Sequence, residues 1–138
     1  MNKVSGLLLL ATYILMVGLG SFLQKFVMDK ITPFQLEFMT AIGMLLITVP
    51  ALWIAQKSFN VPVSQAPLSV LVGLFFAAGS FVYVLAVSKL PVSIAAPVST
   101  GYIVVAVVLS ALFLKEQITW IKALGILLTI AGVAILSL

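Results

Sequence analysis

The chain has 138 residues, 64% hydrophobic and 7% charged, with seven basic and three acidic groups and a formal net charge of +4. A soluble domain carries about a quarter charged residues, so a water-facing surface of this size is excluded and lipid is the expected solvent. There is no His, no Cys and no Arg. This removes the usual zinc, haem and iron–sulfur ligands and the Ser-His and Cys-His nucleophile pairs, so neither a metal nor a cofactor nor an intramembrane enzyme is expected.

A helix crossing roughly 30 Å of hydrocarbon needs about 20 apolar residues. The apolar runs here are long and do not alternate, which excludes a barrel and leaves helices. The first span is Val4–Val27. Its charge-free stretch exceeds the core of a signal peptide and lacks a small-x-small cleavage site, so it is expected to be retained. Met28-Asp29-Lys30 places charge at the first interface. The second span, Pro33–Ala55, starts with Thr32 as N-cap, Pro33 at the first helical position and Gln35 placed to close a capping box. Lys57 to Gln65, with Asn60 and Pro62, is the longest polar connection.

The third span is Pro67–Ser88. Lys89-Leu90-Pro91 is a tight turn, because Pro91 has no N–H with which to continue the helix. The fourth span, Val92–Leu114, ends at Lys115-Glu116-Gln117. The fifth, Thr119–Leu138, has Trp120 and Lys122 as interfacial anchors. The expected fold is all-α and integral to the membrane: five transmembrane helices in one domain covering residues 1–138, with no separate catalytic domain.

Five spans put the termini on opposite sides. Lys3, Lys57, Lys115 and Lys122 fall on one side (side A), and Lys25, Lys30 and Lys89 on the other (side B). The lysines are scattered singly and form no basic patch, so nucleic acid is not an expected partner. Orientation follows the Lys and Arg difference between loops, and a difference of one lysine is a weak instruction. Two readings are open: insertion in both orientations with an antiparallel homodimer, or insertion with side A inside and another pairing. Inverted repeats of opposite orientation are a common architecture of secondary transporters.

Glu37 is the one acid inside an apolar run, and an ionisable group within a span is a functional candidate by default. It lies only about 6 Å beyond Pro33 at 1.5 Å per residue, so an interfacial role at the positive end of the helix dipole is the alternative. As a functional group its carboxylate would hold either a proton or a cationic ligand. Pro97, flanked by Ser93, Ser99, Thr100 and Gly101, is a candidate kink, with gating and simple structural bending as the two readings. Tyr13, Ser80 and Tyr102 fall near mid-bilayer depth, while Tyr83 and Thr40 lie closer to side B. With Gln24, Glu37 and Ser99 they are candidates to line a substrate cavity, against interhelical hydrogen bonding as the alternative. Small residues mark two close-approach faces: Gly73, Ala77 and Ser80 on the third span, and Gly125, Thr129 and Gly132 on the fifth.

Leu90-Pro91-Val92-Ser93-Ile94-Ala95-Ala96-Pro97, closing with Leu112-Phe113-Leu114-Lys115-Glu116, is followed by a segment from Gly125 through Gly132 to Leu136. This pattern resembles the EamA-like domain of the drug/metabolite transporter superfamily across essentially the whole chain. Larger members carry two such five-helix domains in inverted orientation, so the resemblance implies one half of an inverted-repeat transporter. Gly20-Ser21-Phe22-Leu23-Gln24-Lys25-Phe26 and the pair Gly125 and Gly132 are also similar to the small multidrug resistance family. There the paired glycines belong to a dimerising last helix, which implies a dimer interface at Gly125, Thr129 and Gly132. That family's coupling glutamate, three residues before the first-helix glycine, is Val17 here, so no proton-coupling residue is carried over in the first helix.

The resemblance implies a secondary transporter of small organic metabolites or drug-like solutes in the plasma (inner) membrane, working as a dimer by alternating access. A membrane-embedded partner subunit of another protein and a lipid-carrier translocase are the alternatives.

Overall fold

The computed structural model describes residues 3–56 and 61–136. Every regular element among them is helical: α1 (Lys3–Met28), α2 (Pro33–Gln56), α3 (Ala66–Lys89), α4 (Val92–Ser99), α5 (Tyr102–Phe113) and α6 (Trp120–Leu136). Among the described residues, four stretches are long and apolar enough to cross a membrane: Ser5–Met28, Pro33–Ala55, Ala66–Lys89 and Val92–Phe113. The described part of the last span is shorter, at 17 residues, or about 25 Å of helix. The chain divides into two compact units, Met1–Lys89 and Leu90–Leu138.

In the first unit α2 packs along α3, and α1 touches both. The entry to α2 is built as its sequence predicts. The Thr32 backbone N–H donates to Gln35 Oε1 at 2.9 Å, and the Gln35 N–H donates back to Thr32 Oγ1 at 3.3 Å. Two of the orphan donors of a helix start are thereby satisfied reciprocally. Phe34 packs against Phe81 with the rings tilted at 57° and centroids 5.3 Å apart, joining the first turn of α2 to α3. Leu36, Val84 and Val87 are buried. Elsewhere these helices present large apolar side chains outward, as Ile54 at 80% and Phe76 at 77% exposure illustrate. In water each would forfeit roughly 1.5–3 kcal/mol of burial; lipid removes that penalty. Several hydroxyls on this unit are satisfied locally: Thr12 donates to the Leu8 carbonyl, Thr48 to Met44 and Ser69 to Gln65, each four residues back.

In the second unit α4 packs on α6. The fourth predicted span differs from the single helix Val92–Leu114, because it divides at Thr100-Gly101. Pro97 cannot donate to the carbonyl four residues earlier. Beyond it the ladder tightens to three-residue spacing: Thr100 N–H to Pro97 O at 3.0 Å, Gly101 N–H to Val98 O at 3.1 Å, Ile103 N–H to Thr100 O at 3.0 Å and Val104 N–H to Gly101 O at 3.1 Å. Ser99 and Thr100 hydroxyls fold back onto the Ala96 and Pro97 carbonyls at 2.7 and 2.6 Å, which favours bending. Thr100 and Gly101 both keep right-handed helical dihedrals. The break is therefore a tightened turn, and the chain does not unwind there.

Candidate functional site

Several polar residues of the first unit lie toward its side B end. Gln24 and Lys25 lie in the last turns of α1, Glu37 and Thr40 in the first turns of α2, and Tyr83 and Val87 in the last turns of α3. Gln24 precedes the end of α1 by four residues, and Glu37 follows the start of α2 by four. In an antiparallel hairpin this puts both about 6 Å from the helix ends.

Lys25 Nζ donates to the Val87 carbonyl at 3.0 Å, partly buried, and so ties α1 to α3. The reason is in the sequence. The residue four beyond Val87 is Pro91, which has no N–H, so this carbonyl lacks its usual helical partner four residues on. A cation at a helix C-terminus also complements the negative end of the dipole. Lys25 therefore serves as a tertiary cap on α3.

Among the described residues, two buried acceptors remain without a donor, Gln24 Oε1 and Glu37 Oε2. Leaving a buried acceptor unsatisfied costs roughly 1–3 kcal/mol, and more for a charged group. The hydroxyl of Thr40, one turn from Glu37, is committed, since its Oγ1 donates to the Leu36 carbonyl at 3.0 Å. Both acceptors suit a guest that brings N–H or O–H donors.

The other predicted cavity residues are distributed differently. Tyr13 lies in the middle of α1 with its ring exposed, whereas Ser80 and Tyr83 are half-buried on α3. Ser99 and Tyr102 belong to the second unit and flank the break after Pro97. Gly101 is confined: a Cβ there would meet the Val98 carbonyl at 3.2 Å. Gly125 and Gly132 have nothing within 4 Å of such a position.

The second unit also holds a cleft of about 420 Å³ between α5 and α6, which sequence reasoning missed. Ser110, Glu116, Gln117, Lys122, Gly125 and Thr129 are among its lining residues, and no predicted cavity residue is. The predicted interface residues Gly125 and Thr129 thus face a cleft within their own chain, while Gly132 is not in its lining. The turn that closes this cleft is shaped by Lys115, whose φ of 54° is left-handed. That conformation brings the Glu116 N–H back to the Ser110 carbonyl at 3.4 Å. Thr119 starts α6, its hydroxyl accepting from the Lys122 N–H at 3.4 Å.

The profile of the EamA-like transporter family matches residues 4–138. An uncharacterized protein of Methanocaldococcus jannaschii is 30% identical over 138 residues, covering 98% of this chain and 95% of the relative. No solved structure gives a significant match.

Proposed function

The chain belongs to the EamA-like transporter family of the drug/metabolite transporter superfamily, and from that premise we propose that it is a secondary transporter of small organic solutes in the plasma membrane. Membership makes it a multi-pass membrane protein of a family that moves small solutes. The finer reading rests chiefly on one observation, that Gln24 Oε1 and Glu37 Oε2 are each buried and without a donor. Two acceptors, one of them a carboxylate, select solutes that present N–H donors and positive charge, such as primary and secondary amines. Such a solute would replace the missing donors. Tyr83 and Thr40, at the same end, would add an aromatic face and a methyl surface to the guest's carbon skeleton.

Two copies in opposite orientation would supply ten spans and the inverted symmetry that alternating access uses. The tightened turn at Thr100-Gly101 would be the flexible point within each copy. The chain carries no nucleotide-binding motif, so a solute or ion gradient would drive the cycle.

The test is uptake by proteoliposomes holding the purified protein, with a panel of radiolabelled amines, neutral amides and organic acids. Glu37→Gln keeps the shape and removes the charge. We expect amine uptake to fall at least about tenfold, the factor that corresponds to 1.4 kcal/mol. Equal uptake by E37Q would overturn the site. No uptake of any panel member by the wild-type protein would favour a partner-subunit role.

A further inference from the structure

The cleft between α5 and α6 lies outside the solute site proposed above and has a different chemistry along its length. Its mouth is formed by Glu116, Gln117 and Lys122, all exposed, at the turn on side A. From Lys122 to Thr129 it runs seven residues along α6, about 10 Å into the hydrocarbon. There the walls are small or apolar: Ala106, Val107, Gly125 and Ile126. Thr129 asks nothing of an occupant, since its hydroxyl already donates to the Gly125 carbonyl at 2.9 Å. Ala106, Gly125 and Thr129 are exposed, so the cleft is open along its side as well as at its mouth. Its volume of about 420 Å³ falls in the range that holds a small organic molecule or one chain of a larger one.

We infer that this cleft binds one zwitterionic phospholipid, with its headgroup at Glu116 and Lys122 and an acyl chain between α5 and α6. The charges are complementary. Lys122 lies in the first turn of α6, where the positive end of the helix dipole adds to its attraction for a phosphate. Glu116 stands across the mouth and attracts a headgroup ammonium. An anionic lipid would satisfy Lys122 and be repelled by Glu116. A small polar solute would gain little from the apolar depth, and a bare acyl chain nothing from the paired charges. The left-handed Lys115 supports the same reading, because that conformation turns the chain sharply after α5 and sets Glu116 at the rim.

The absence of cysteine makes the experiment direct. A bimane fluorophore is attached at Ser110→Cys in the cleft and, in a separate variant, at Phe113→Cys, which is 78% exposed and reports bulk lipid. Each is reconstituted in phosphatidylglycerol vesicles with increasing fractions of phosphatidylethanolamine brominated on its acyl chains. Half-maximal quenching at Ser110→Cys is expected at about a fivefold lower fraction than at Phe113→Cys, the ratio that roughly 1 kcal/mol of headgroup pairing gives. Adding Glu116→Gln and Lys122→Gln together should bring the two positions within about twofold. The same half-maximal fraction at both positions in the unmodified background overturns the proposal. So does an unquenched Ser110→Cys that cross-links to a second copy, since a neighbouring helix would then fill the cleft. Should Ser110→Cys fail to fold, Ala106→Cys reads the same cleft one turn deeper, and the same two results support or overturn the proposal. None of these outcomes depends on solute transport.

Discussion

Replacing Lys25 by Met should loosen the first unit selectively. Met keeps most of the apolar stem and removes the ammonium that donates to the Val87 carbonyl at 3.0 Å. That carbonyl lacks the usual donor four residues on, because Pro91 supplies no N–H, and Val87 is fully buried away from water. Hydrogen bonds to charged groups contribute about 1.5–3 kcal/mol in soluble proteins. Interhelical bonds in membranes measure lower, roughly 0.6–1.7 kcal/mol. The two ranges meet near 1.5 kcal/mol, which is the expected loss and corresponds to about a tenfold shift toward the unfolded state. The assay is equilibrium unfolding in mixed micelles of a mild detergent and dodecyl sulfate, read by Trp53 and Trp120 fluorescence. Lys30→Met is the control: Lys30 is exposed and lies on the same side, so it removes an equal charge without breaking the cap. A K25M loss below about 0.5 kcal/mol, or one equal to that of K30M, would refute the assignment of Lys25 as the α3 cap.

The geometry sets three further outcomes. Gly132→Ala has open space for its Cβ, whereas Gly101→Ala meets the Val98 carbonyl at 3.2 Å. The first should gain up to about 1 kcal/mol of helix propensity and the second none; equal gains in the micelle assay would show that the turn at Gly101 yields freely. Lys115→Gly removes a side chain from a left-handed position and should stabilise by about 1 kcal/mol, with no gain contradicting the strain. Single cysteines at Ser88 and Gln117, both exposed and at opposite ends of the spans, report orientation in intact cells through an impermeant maleimide. Labelling of substantial fractions at both positions is expected for the antiparallel dimer, and labelling of only one position would exclude it.

The element boundaries are largely legible in the sequence because their causes are local. Thr32, Pro33 and Gln35 specify the start of α2 by chemistry within four residues, and Pro91 specifies the turn before α4. The division of the fourth span is only half legible. Two prolines lie inside helices, Pro50 in α2 and Pro97 in α4, yet α2 runs on through Pro50. The residues just after Pro97 make the difference: Ser99 and Thr100 hydroxyls compete for the preceding carbonyls, and Gly101 tolerates the tight turn.

The site is less legible, because it depends on which helices meet. Gln24 and Glu37 stand out by type and depth, but burial of their unbonded oxygens is a tertiary fact. Lys25 reads as an interfacial charge, although Pro91, four residues beyond Val87, already marks a carbonyl in need of a donor. The cleft residues Glu116 and Lys122 read as ordinary loop and anchor charges, since nothing in their spacing shows that α5 and α6 part between them.

The central claim is that the chain carries solutes by alternating access, and counterflow tests it most directly. Proteoliposomes are loaded with an excess of an unlabelled amine, and entry of a trace of the labelled amine is followed, with E37Q alongside. A carrier that exchanges solute at Glu37 should show entry accelerated by the internal solute in the wild-type protein and abolished in E37Q. Entry that is unaffected or slowed by the internal solute, or that persists in E37Q, would contradict the account.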